Sequence, residues 1–130
     1  MQQFNQGGHE PSVPDRFRFP RAKRLTRKAE FDLVFQQGRK LVGRHFVCYA
    51  VRREEPDSQL GLVVSRKVGN AVARNRVKRY LRQLFRTHCG RFDEPIQLVV
   101  IARHGAADLD FAACEQAFTK LLRQGNWLRE

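Results

Sequence analysis

RKVGNAVARNRVKRYLRQLFRTHCGR, residues 66–91, carries nine basic side chains and no acidic one. The acid-free interval is wider still, running from Asp57 to Asp93. Gly69 supplies a turn, Asn70 a helix cap, and Ala71 to about His88 a helical period, with Gly90 closing the helix. At roughly 100° per residue, Ala73, Val77, Tyr80, Leu81, Leu84 and Phe85 share an arc about 140° wide. Arg76, Lys78, Arg79, Arg82 and Arg86 fill most of the opposite arc with Asn75, and Arg74 stands near the boundary. A helix that needed only solubility would mix signs, since like charges one turn apart repel. A run of one sign points to a polyanion that supplies the missing charge, and phosphate backbone is the usual one.

Outward from this stretch, the chain reads as one α+β domain. Its 130 residues carry 25 Lys and Arg against 13 Asp and Glu, a net charge of +12, and 42% are apolar. That composition supports a folded basic domain with a core. Residues 1–20 hold three of the five prolines and read as an arm. Residues 21–124 form the domain and 125–130 a short tail. Thr26 caps a helix over 27–37, with Phe31, Val34 and Phe35 on its stripe and Gly38 at its end. A short extended piece at 39–42 precedes a strand at 45–52, in which Phe46, Cys48 and Ala50 face one way and Val47, Tyr49 and Val51 the other. REEPDSQ, residues 53–59, reads as a hairpin loop and 60–67 as the next strand. IQLVVIAR, residues 96–103, is a nearly unbroken apolar run and so a buried strand. Asp108 or Asp110 caps a last amphipathic helix that Gly125 stops. The expected fold is a four-stranded, mainly antiparallel sheet with three helices packed mainly on one side.

The search for chemistry returns little. His9, His45, His88 and His104 have no metal-ligand spacing, and HExxH, GxSxG and GxxxxGK are absent. Cys48, Cys89 and Cys114 are widely spaced among apolar neighbours, the pattern of reduced structural thiols rather than a zinc site. No metal ligand and no catalytic residue is assigned. No apolar run reaches the length of a membrane span and no secretory signal is present, which implies a cytoplasmic location without membrane contact. Rings offer the other route to nucleic acid. Stacking on aromatics is how single-stranded RNA is held without sequence reading. Phe31 and Phe35 stand one turn apart, and Tyr49 faces away from Phe46. If helices cover only one sheet face, Tyr49 lies in a groove on the other. These features leave a ribosomal or chaperone-like RNA binder open. A DNA-binding helix is also open, although it lacks a helix-turn-helix partner.

GLVVSRKVGNAVARNRVKRYLRQLFR, with its central ARNRVKR, resembles the signature of the bacterial ribonuclease P protein component. RLTRKAEFDLVFQQGRK, RHFVCYAV and VVIAR fit the same pattern, and the resemblance covers Arg24 to Leu122. It implies a ribonucleoprotein endoribonuclease in which a catalytic RNA and its Mg²⁺ release the 5′ leader of precursor tRNA. The protein binds no cofactor of its own and requires no protein partner. The resemblance also implies a left-handed βαβ crossover. Carried over by position, Arg74, Asn75, Arg76, Lys78, Arg79 and Arg82 face the catalytic RNA. Phe31, Phe35, Tyr49, Arg66 and Lys67 line the leader cleft. The N-terminal arm falls outside the resemblance.

Overall fold

The computed structural model describes residues 24–128. The expected arm at 1–20 therefore lies outside the described residues. The elements are α1 (Lys28–Gln37), β1 (Arg39–Val42), β2 (Phe46–Arg52), β3 (Gln59–Val63), α2 (Ala71–His88), β4 (Ile96–Ala102) and α3 (Phe111–Gln124). Short 3₁₀ turns at Cys89–Arg91 and Ala106–Asp108 flank β4. This is the α+β order read from the sequence.

The strands lie in the order β1-β2-β4-β3. β1 and β2 are antiparallel, as are β2 and β4, whereas β3 and β4 are parallel and joined through α2. The sheet is mixed, and residues 53–58 are not a hairpin loop. They carry the chain past β4, whose first residues hold them: Arg53 N–H donates to the Pro95 carbonyl at 2.8 Å, and Ile96 N–H to Ser58 Oγ at 3.0 Å. A polar, proline-bearing loop reads alike in both connections, because strand pairing is set by distant partners.

β4 explains the layers. Ile96, Leu98, Val99 and Val100 are fully buried, so the strand is covered on both faces. On one face Phe46, Cys48, Ala50, Leu98 and Val100 meet Val77, Leu81, Leu84 and Phe85 of α2 and Cys114, Phe118 and Leu122 of α3. The apolar arc expected for α2 is thus the buried one. On the other face lies a smaller cluster of Leu25, Val34 and Val99, with Phe31, Tyr49, Val51, Val63 and Ile101 against it. Two of the three helices thus share one face, as expected, and α1 takes the other. Its stripe shows which residues are apolar but not which face receives them.

Ends of elements follow local chemistry. Asn70 Oδ1 accepts from Ala73 N–H at 2.9 Å, and Asp110, not Asp108, caps α3 through Ala113 N–H at 2.8 Å. Arg27, not Thr26, is the residue before α1. The Glu30 carboxylate accepts both the Arg27 and Thr26 N–H groups at 3.1 Å, and these bonds, that from Arg27 first, hold its carboxyl below the usual value. β3 stops at Val63 rather than Lys67, because Ser65 opens a turn closed by Val68 N–H at 3.0 Å. β4 likewise ends at Ala102, and α2 passes into the 3₁₀ turn before Gly90 is reached. At that end the Arg91 guanidinium donates to His88 Nδ1 at 3.1 Å, so Nε2–H is left to donate to Glu115 at 3.0 Å, tying α2 to α3. Of the expected tail 125–130, Leu128 is buried and bridged to Phe92.

Gly61 fixes the height of α1 above the sheet. A Cβ there would lie 2.7 and 2.8 Å from the Phe31 ring and 3.1 Å from Leu25 Cβ. Gly61→Ala should therefore displace Phe31 and lower stability by about 1–3 kcal/mol, read as a fall in melting temperature. An unchanged melt would show that α1 floats freely over β3.

Candidate nucleic-acid interface

Two faces of the domain carry the residues singled out from the sequence. The first is the outer side of α2. Asn75 and Arg79 are exposed there, while Arg74, Arg76, Lys78 and Arg82 are half-buried. Several of these cations are held by the protein. Arg76 Nη2 donates to the Ala107 carbonyl at 2.6 Å, and Arg74 Nε to the Gly69 carbonyl at 3.2 Å. Arg79 lies 5.7 Å from the centre of the Tyr80 ring, which packs edge-on against Phe111 at 5.4 Å. Burial, and secondarily the neighbouring Arg24 cation, lowers the pKa of Arg82 below the ordinary guanidinium value. Burial has the same effect on Arg86. The face therefore presents fixed cations, because their stems or heads are already ordered and lose less freedom when an anion arrives.

The second face is the cleft between α1 and the sheet. Strand register places Lys40, Tyr49, Val99 and Gly61 in one cross-strand row, and Val42, Val47, Ile101 and Val63 in the next. α1 lies over the first row. Phe31 sits on Gly61, and Phe35 meets Tyr49 edge-on, with ring centres 5.0 Å apart. Phe31 and Phe35 are 6.4 Å apart. Phe35 remains 37% exposed, and Lys40 Nζ stands 5.9 Å from the Tyr49 ring centre. In the second row Val47, Val63 and Ile101 are half-buried and Val42 is 57% exposed, an apolar floor beside the three rings. Tyr49 thus belongs to a partly open cluster and not to the main core.

The structure brings Phe31, Phe35 and Tyr49 together, and it gathers Arg74, Asn75, Arg76, Lys78, Arg79 and Arg82 on one helix. The two groups sit over opposite faces of the sheet. Arg66 and Lys67 are exposed in the turn that leads from β3 to α2, at the edge where the faces meet.

A sequence model of the family described as Ribonuclease P matches residues 19–125. The chain belongs to the ribonuclease P protein family. It is 36% identical over 108 residues to the ribonuclease P protein component of Listeria innocua, covering 82% of this chain and 91% of that protein. With the component of Geobacillus kaustophilus it shares 38% over 108 residues, covering 82% and 89%. The solved ribonuclease P protein of Staphylococcus aureus superposes with a TM-score of 0.77 at 30% identity, over 84% of this chain and all of the other. That of Thermotoga maritima gives 0.70 at 32%, over 78% and 96%. Membership in the ribonuclease P protein family makes the chain a component of a tRNA-processing endoribonuclease whose partner is an RNA subunit.

Sequence reasoning missed several features of this ribonuclease P protein. Gly61, Lys40 and the floor of Val42, Val47, Ile101 and Val63 emerge only from register. The Arg24 cation beside Arg82 depends on a bridge between Arg24 and Leu60. A place off the apolar arc also does not show the contact of Arg76, whose guanidinium spans to the Ala107 carbonyl before α3. Arg76→Ala should therefore lower thermal stability, by on the order of 1 kcal/mol, whereas Arg79→Ala should leave the melt nearly unchanged. Equal melting of the two variants would show that the Ala107 bond adds nothing.

Proposed function

We propose that this chain binds the catalytic RNA through α2 and the 5′ leader of precursor tRNA in the cleft beside α1. The observation that carries this reading is the placement of an acid-free cationic helix and an aromatic cleft over opposite faces of one sheet. One face can hold a folded RNA through its phosphates while the other receives a single strand on ring faces. Arg74, Asn75, Arg76, Lys78, Arg79 and Arg82 serve the first task. Phe31, Phe35 and Tyr49 serve the second, with Arg66 and Lys67 toward the leader's phosphates. In this reading the RNA subunit, with Mg²⁺ held by that RNA, carries the hydrolysis in the cytoplasm. The protein contributes phosphate neutralisation and leader positioning rather than a catalytic residue.

Reconstitution tests the division of labour. The purified protein, mixed with the catalytic RNA and precursor tRNA at low Mg²⁺, should accelerate release of the leader and leave a mature 5′ end. Stimulation should shrink as Mg²⁺ rises, because the metal then screens the phosphates in the protein's place. The protein without RNA should leave the precursor intact. Cleavage by RNA-free protein would overturn the assignment of chemistry to the RNA.

Tyr49 separates leader binding from a general attraction to RNA. Tyr49→Ala should stay folded, since the ring belongs to the half-open cluster. The reconstituted complex should then bind leader-bearing precursor more weakly by about 1–3 kcal/mol, and mature tRNA almost as before. Equal weakening toward both RNAs would remove Tyr49 from the leader site.

A further inference from the structure

Val72 breaks the pattern of α2. It is apolar yet 75% exposed, more than any other large apolar side chain among the described residues. At roughly 100° per residue, Val72, Arg79 and Gln83 fall within about 40° of one another, and Asn75 stands beside them. All four are exposed, and they form a crest roughly 17 Å long. The half-buried Arg76 flanks the crest on one side and the half-buried Arg82 on the other.

The crest differs in chemistry from its flanks. A helix built only to neutralise phosphate would carry cations along its most accessible line. Here that line holds one cation, Arg79, with a branched aliphatic and two amides. The amide of Asn70 serves the fold by capping α2, but those of Asn75 and Gln83 face solvent. An exposed amide offers a donor and an acceptor together, a pair that matches a base edge better than a phosphate. A lone exposed valine requires no partner. Val72 is not alone in that sense, because it shares its line with two amides and lies between cations.

We propose that Val72, Asn75 and Gln83 contact unpaired nucleotides of the RNA subunit, Val72 against the face of a base and the two amides on base edges. Paired RNA hides its base edges in a deep, narrow groove, so unpaired bases are the ones a helix crest can reach. The flanking cations hold phosphates of any RNA, and the crest decides which RNA is accepted. This assignment rests on the RNA-binding role proposed for α2.

The full chain would be titrated with the RNA subunit, and with a folded RNA of equal length and unrelated sequence, over a range of salt. Val72→Thr, which keeps the branched shape, combined with Gln83→Ala should weaken binding to the RNA subunit about tenfold. The salt slope should stay at the wild-type value, because no phosphate contact is lost, and the unrelated RNA should bind as before. Arg79→Ala should instead weaken both RNAs and lower the slope by roughly 0.7–0.9. Equal weakening of both RNAs by the double variant, or no weakening at all, would overturn the crest's part in selection. The RNA-binding role of α2 would survive that result if Arg79→Ala still lowered the slope. If Arg79→Ala also changed nothing, that role and the crest would fall together. Both substituted sites are exposed, so the melt should hold. Should it fall, Gln83→Ala alone decides by the same comparison, since alanine is the stronger helix former.

Discussion

β4 is hydrogen-bonded along both edges and buried on both sides, and the rest of the fold answers to that. Its neighbours β2 and β3 supply the edges, one antiparallel and one parallel. Its alternate residues demand apolar cover above and below. α2 and α3 cover Ile96, Leu98 and Val100, and α1 covers Val99. One short helix cannot cover a whole face, and the row it leaves is Val42, Val47, Ile101 and Val63. The cleft follows from the same burial requirement that builds the core.

α2 resolves a conflict between folding and charge. Like charges on consecutive turns destabilise an isolated helix by a few tenths of a kcal/mol per pair. Val77, Leu81, Leu84 and Phe85 are nearly fully buried, and burial of such side chains contributes about 1.5–3 kcal/mol each. The packing outweighs the repulsion, so a strongly cationic surface is stable without acids to neutralise it. Arg86 in the last turn also favours the helix dipole. The Arg76 and Arg74 bonds to backbone carbonyls further restrict the charged face.

The division between a cationic helix and an aromatic cleft suits the two RNA contacts proposed for the chain. The sheet separates them, and the turn containing Arg66 and Lys67 leads from β3 to α2 at its edge. A rigid sheet sets the distance between the two faces, which a flexible linker could not do.

Much of this was legible in the chain. The cap at Asn70, the choice of Asp108 or Asp110 as the cap of α3, the apolar arc of α2 and the alternation of β2 rest on residues within a few positions of one another, and local chemistry decides them. The ARNRVKR signature names the family. Strand order, the passage of residues 53–58 past β4, the face taken by α1 and the contact of Phe31 with Gly61 were not legible. A glycine in an apolar strand carries no sign of the ring that will rest on it, and an arginine off the apolar arc none of the carbonyl it will meet. These outcomes depend on which distant segments pair, because burial of β4 on both faces is satisfied only by the whole chain at once.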